Sequence, residues 1–224
     1  MTKIRGFAPD EHYHVFNRGA HKERLFRDES DWARFLFLIL YCQGDVPLPV
    51  TRRHATLEGV KNGFKVPKQF EQKMIASRTV DLVAFCIMSN HFHLIVRERV
   101  EGGIGRYMKR VLGGYTGYFN EKYRTSGHLF EGRYKDVHVK DNDQLLYLSA
   151  YIHRNPREIE MWKGLEPAYP YSSFQDYVAQ NRWGALLSPD LILEQFDGTK
   201  KSNYLDFVNT SSAKLFEEEL REHI

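Results

Sequence analysis

Two histidines flanking one large apolar residue, His91-Phe92-His93, are the part of this chain best suited to chemistry. The surrounding run, residues 83–96, reads as strand, and side chains on a strand alternate between faces. His91 and His93 are therefore expected on one side of a sheet, with Phe92 in the opposite, buried layer. A pair of imidazoles on one sheet face is half of a metal site. The same pair also suits two histidines that merely share a solvent-facing strand surface.

A second set of candidates lies further along, where Tyr147, Tyr151 and Asn155 recur every four residues and so share one face of a helix. If that face looks onto the imidazoles, two nitrogens, one carboxamide oxygen and a phenol come together. The alternatives are structural: an aromatic stripe at helical spacing packs cores, and Asn155 before Pro156 can simply end a helix.

The elements that must position these groups follow from pattern. Residues 12–18 alternate as a first strand, closed by the turn residues Asn17-Arg18-Gly19. Ser30-Asp31 can cap a helix over 32–41. Residues 43–78 contain Pro47, Pro49 and Pro67 and read as an insertion or long loop, with some helix near 68–76. Residues 79–87 and 91–97 form adjacent strands joined by the tight Met88-Ser89-Asn90 connection, an antiparallel hairpin. Gly102-Gly103 introduces a long helix over 104–123, and residues 129–139 read as another strand. Asp141 or Asn142 can cap a last helix ending at Asn155. This order implies an α+β domain over residues 1–160, an antiparallel sheet with helices packed on one side, followed by an acidic extension over 161–224.

At 224 residues and 42% apolar content the chain can bury a core as one domain plus an appendage. Its longest apolar stretch, near Phe35 and Tyr41, is far short of the roughly 20 residues that span a bilayer. Cys42 and Cys86 show neither a CxxC spacing nor a disulfide framework, and no secretory signal pattern is evident, so a soluble, cytoplasmic protein is expected. The net charge of +3 hides an asymmetry: residues 1–140 hold 24 Lys+Arg against 15 Asp+Glu, and residues 141–224 hold 8 against 14. Such a division suits a polyanion-binding body. Arg106, Lys109 and Arg110 on the long helix and Arg133 and Lys135 on the following strand are candidate phosphate contacts, and Tyr115 and Tyr118 could stack on unpaired bases. A solvated charged face and a helix core stripe are the competing readings.

Four ordered blocks carry a resemblance. Tyr13-His14-Val15-Phe16-Asn17-Arg18-Gly19, then Met88-Ser89-Asn90-His91-Phe92-His93-Leu94-Ile95, then Gly127-His128-Leu129-Phe130-Glu131-Gly132-Arg133-Tyr134, then Tyr151-Ile152-His153-Arg154-Asn155-Pro156 are similar to the REP-associated tyrosine transposases, within the single-tyrosine HUH transposases. Tyr171-Ser172-Ser173-Phe174 also fits, whereas residues 43–78 match less clearly. The resemblance implies a ferredoxin-like antiparallel sheet, His91 and His93 as metal ligands with Asn155 as a third, Tyr151 as nucleophile, and single-stranded or hairpin DNA as partner. It also favours Mg²⁺ or Mn²⁺ over the Zn²⁺ that two imidazoles and an amide oxygen could equally hold. His14, inside the first block, is a possible accessory near the metal or scissile phosphate, though a histidine on a central strand more often packs structurally.

The implied reaction is phosphoryl transfer. A phenol with a pKa near 10 is mostly protonated at neutral pH, so Tyr151 would need local positive charge and an activated phosphorus. Two other function classes remain open at this point: a repeat-DNA-binding protein that no longer cuts, and a zinc-dependent hydrolase with a metal-bound water. Assembly as monomer or homodimer also stays open.

Overall fold

A computed structural model describes residues 6–49, 51–196 and 200–210. Four antiparallel strands make one sheet in the order β2-β3-β1-β4: β1 His12–Arg18, β2 Val80–Ile87, β3 His91–Glu98 and β4 Lys135–His138. The helices along the chain are α1 Glu29–Tyr41, α2 Thr51–His54, α3 Leu57–Asn62, α4 Lys68–Ala76, α5 Gly103–Tyr123, α6 Asn142–Arg154, α7 Phe174–Val178, α8 Asp190–Leu193 and α9 Lys200–Thr210. The hairpin, the long helix and the helix bearing Tyr151 stand where the pattern put them. Among the described residues no helix is long and apolar enough to cross a membrane.

β3 is central, and its alternation divides the molecule. Phe92, Leu94 and Val96 enter a core built with Val15, Leu82, α1 and α5, while Ile95 enters a second cluster with Ala84, Cys86 and residues of α6, α7 and α9. Residues directly opposite across strands share a face, so Phe16 opposite His93 and Arg18 opposite His91 lie on the histidine side. Helices therefore cover both faces. The layer expected on one side is α1 with α5; the other face also receives α6 and the segment read as an extension.

Local signals explain the main boundaries. Asp28, rather than Ser30, caps α1: its carboxylate accepts from the Ser30 and Asp31 backbone N–H groups while Asp31 reaches back, a capping box. Asp141 caps α6 by accepting from Gln144 N–H. The edge of β2 is covered by residues 171–173, where Ile87 N–H donates to the Tyr171 carbonyl (2.9 Å) and Ser173 N–H to the Phe85 carbonyl (2.9 Å). The expected strand over 129–139 is shorter. Gly132 has a φ of 158°, Phe130 forms only an isolated bridge with Gly19, and regular pairing starts at Lys135. The acidic run at Glu217, Glu218 and Glu219 lies outside the described residues.

Candidate active site

The site assembles where the start of β3 meets the end of α6. His91 and His93 project from β3 on the face shared with His14, Phe16 and Arg18 of β1. Tyr151, on α6, is 8% exposed, and its ring stands edge-on to His93 with centroids 5.4 Å apart. One turn later, Asn155 follows the last residue of α6, and the chain continues through Pro156 as a 3-10 turn rather than leaving the helix axis at once.

Hydrogen bonding orients each donor. His91 Nδ1 lies 2.8 Å from the Asn90 side-chain oxygen, which can only accept, so the ring proton belongs on Nδ1 and Nε2 keeps a lone pair. The Asn155 side-chain amide donates to the Tyr151 carbonyl at 2.9 Å, which leaves its oxygen as an acceptor. That oxygen and His91 Nε2 face each other at 3.4 Å. Two acceptors pointed at one another repel unless something positive lies between or beside them. His93 Nε2 is buried and has no hydrogen-bond partner, while its Nδ1 lies 2.9 Å from His14 Nε2. Two imidazole nitrogens and a carboxamide oxygen thus lie together, with the His91 nitrogen and the Asn155 oxygen as acceptors and the His93 Nε2 unpartnered, a donor set that could hold a cation. Among the described residues no cluster of three or more His, Cys, Asp or Glu could hold a metal.

Burial keeps the imidazoles neutral, the form a ligand requires. Desolvation holds His91 below its ordinary value, and it holds His93 well below, helped by His14 and His91. Desolvation alone pushes His14 down to about 3. Beside the imidazoles a shallow pocket opens between Phe16, Asn17, Arg18, Glu131 and Lys135. Arg18 and Glu131 form a two-point ion pair at its rim.

The structure brings together His91, His93, Asn155, Tyr151 and His14, and it leaves Lys135 exposed at the pocket edge with its ammonium 5.9 Å from the Phe16 ring centre. Arg133 is exposed in the turn before β4, not on the strand. The three cations of α5 are elsewhere. That helix packs on the Phe92 face of the sheet, away from the imidazoles. Arg110 is committed to the carbonyls of Gly44 and Val46, and Arg106 lies 3.6 Å from Asp45. Tyr115 is no stacking platform: it is fully buried and donates to the Leu25 carbonyl at 2.7 Å. Tyr118 donates to Asp31 at 2.9 Å, and Tyr147 packs on Phe207 of α9. Three contributors went unread: Asn90, which sets the His91 tautomer, and the Arg18–Glu131 pair. Their signals were present, since Asn90 adjoins His91 and Arg18 follows His14 and Phe16 by period two.

Three comparisons with known proteins bear on the family and the fold. Residues 48–155 match the family described as "Transposase IS200 like". The fold aligns with the structure of a REP-associated tyrosine transposase bound to a REP hairpin, with a TM-score of 0.52 and 13% identity over 89% of this chain and 96% of that one. A protein from Deinococcus radiodurans, provisionally named a transposase, aligns at a TM-score of 0.35 and 18% identity over 69% of this chain and 97% of its own. No curated protein sequence matches the chain. Residues 48–155, a span that includes both imidazoles, the phenol and the carboxamide, are thus similar to the IS200-like transposase family.

Proposed function

We propose that this protein is a metal-dependent tyrosine transposase that cuts and rejoins single-stranded DNA carrying hairpin-type repeats, with Tyr151 as the nucleophile. The observation that carries this reading is the Tyr151 ring 5.4 Å from His93, beside a buried imidazole nitrogen without a partner and two acceptors converging at 3.4 Å. His91, His93 and Asn155 would hold Mg²⁺ or Mn²⁺, which supplies Lewis-acid polarisation of a phosphate oxygen and charge neutralisation when bound. The aligned transposase bound to a REP hairpin supports hairpin DNA as the partner class.

In this reaction the Tyr151 oxygen attacks phosphorus, the bond from phosphorus to the 3′ oxygen breaks, and a 5′-phosphotyrosine link and a free 3′-hydroxyl result. The phenol gives up one proton and the departing oxygen gains one. One phosphoester replaces another, so a 3′-hydroxyl can reverse the step and join strands without a further energy source. The protein's part is largely positioning: α6 holds the phenol at low exposure against β3, which restricts its direction of attack. Nucleophile and imidazoles belong to one chain, so the reading needs no second subunit.

Incubation with a hairpin-bearing single-stranded oligonucleotide and Mg²⁺ or Mn²⁺ tests it. A covalent adduct that survives a denaturing gel is expected from the natural chain. Tyr151→Phe should lose the adduct and keep DNA binding. An adduct that persists in Tyr151→Phe would show that another residue is the nucleophile.

A further inference from the structure

His14 and His93 are both 1% exposed and share a 2.9 Å contact between His14 Nε2 and His93 Nδ1. The two outward nitrogens, His93 Nε2 and His14 Nδ1, have no hydrogen-bond partner. Only one proton fits between the paired nitrogens, and it can belong to either ring. If His14 owns it, the neutral His93 carries its own proton on Nε2 and that nitrogen has no lone pair to offer. If His93 owns it, Nε2 is free to ligate and His14 carries its proton on Nδ1. The contact therefore couples the state of His14 to the ability of His93 to bind a cation.

We infer that His14 is a positioning residue: it accepts the His93 Nδ1 proton and so holds His93 in the one tautomer, and the one ring orientation, that presents Nε2 to a divalent cation. This rests on the reading of His91, His93 and Asn155 as a cation site. Metal-bound histidines commonly give their second N–H to a carboxylate or backbone carbonyl; here a neutral imidazole does that work. The His14 ring is itself held. It stacks on Phe16 at 4.6 Å and 28°, lies 5.1 Å from the His93 ring at 19°, and meets Tyr151 edge-on at 6.4 Å. One side chain thus fixes the ligand's proton and packs against the nucleophile's ring. A carboxylate in its place would add a negative charge to a site built only from neutral donors.

Long-range ¹H–¹⁵N spectra of the histidine rings in the metal-free full chain read the tautomer directly. His93 should be the Nδ1–H form in the natural protein, should lose that preference in His14→Phe, and should regain it in His14→Gln, whose side-chain oxygen can accept. Mn²⁺ titration followed by electron paramagnetic resonance should show binding weakened about 10–100-fold in His14→Phe and largely restored in His14→Gln. Retained His153 ring signals, from a separate buried cluster, verify that each variant is folded. Natural protein that binds Mn²⁺ with His93 in the Nε2–H form before metal, or His14→Phe with unchanged Mn²⁺ affinity, would overturn the role of His14. Absence of Mn²⁺ binding by the natural protein would overturn the cation site itself, and with it the role that depends on it.

Discussion

Acid should destabilise this protein through a histidine that does no chemistry. His153 lies on α6 two residues after Tyr151, fully buried, between Tyr204 of α9 and Ser173 on the β2 edge, with Nδ1 2.6 Å from the Tyr204 oxygen and Nε2 2.8 Å from Ser173 Oγ. Tyr204 donates onward to Ser149 Oγ at 3.0 Å, and Ser149 to the Leu146 carbonyl at 2.7 Å, so the hydroxyl of Tyr204 accepts the Nδ1 proton. This relay suits the neutral ring. Burial pushes His153 down to about 3 from an unfolded value near 6.5. Across that window the unfolded chain binds one more proton than the folded chain, so stability is complete above about pH 6.5 and declines as pH falls toward the folded value, by about 1.4 kcal/mol per pH unit from this residue alone. Two units of acidification cost roughly 3 kcal/mol on that slope, a large share of the roughly 5–15 kcal/mol typical of a domain. Urea unfolding monitored by tryptophan fluorescence, repeated from neutral pH down to about pH 4.5, gives stability against pH. His153→Gln should be less stable at neutral pH yet follow a line shallower by about 1.4 kcal/mol per unit. Parallel lines for the two proteins would refute the assignment of that proton to His153.

Further expectations follow from the same contacts. Phe92→Ala empties a fully buried site 5.1 Å from the Phe35 ring and should lower unfolding stability by about 3–5 kcal/mol in a urea titration. Arg110→Met, which releases the carbonyls of Gly44 and Val46, should loosen residues 43–46 in amide hydrogen exchange while leaving DNA affinity unchanged; a marked loss of affinity would return α5 to the DNA surface. Asn155→Ala removes the proposed amide donor and the bond to the Tyr151 carbonyl, so Mn²⁺ affinity should fall at least about tenfold with a stability loss of only about 1 kcal/mol.

Period-two and period-3.6 patterns depend on nearest neighbours along the chain, and what they encode was legible from sequence. β1, the β2–β3 hairpin, α5 and α6 are such cases, and they place His91 with His93 on one strand face and Tyr151 with Asn155 on one helix face. The same local logic over-read residues 129–134, because Leu129, Glu131 and Arg133 alternate with Phe130 and Tyr134 as a strand would, yet Phe130 and Tyr134 join the core and regular pairing with β1 begins only at Lys135. It also could not separate the two faces of the sheet. Whether a cation on α5 or on β4 stands near the imidazoles depends on which layer each element joins, and that is settled by which apolar surfaces pair across long sequence separations.

Residue types by themselves determined that this chain has imidazoles, a phenol and a carboxamide at spacings that allow one site. Only the tertiary structure decided that α6 packs on the histidine face, that α5 packs on the other, and that a strand-one histidine 79 residues away shares a proton with His93. The reason is physical: a strand or helix fixes the relative directions of its own side chains, whereas distances between elements are set by close packing of their buried faces.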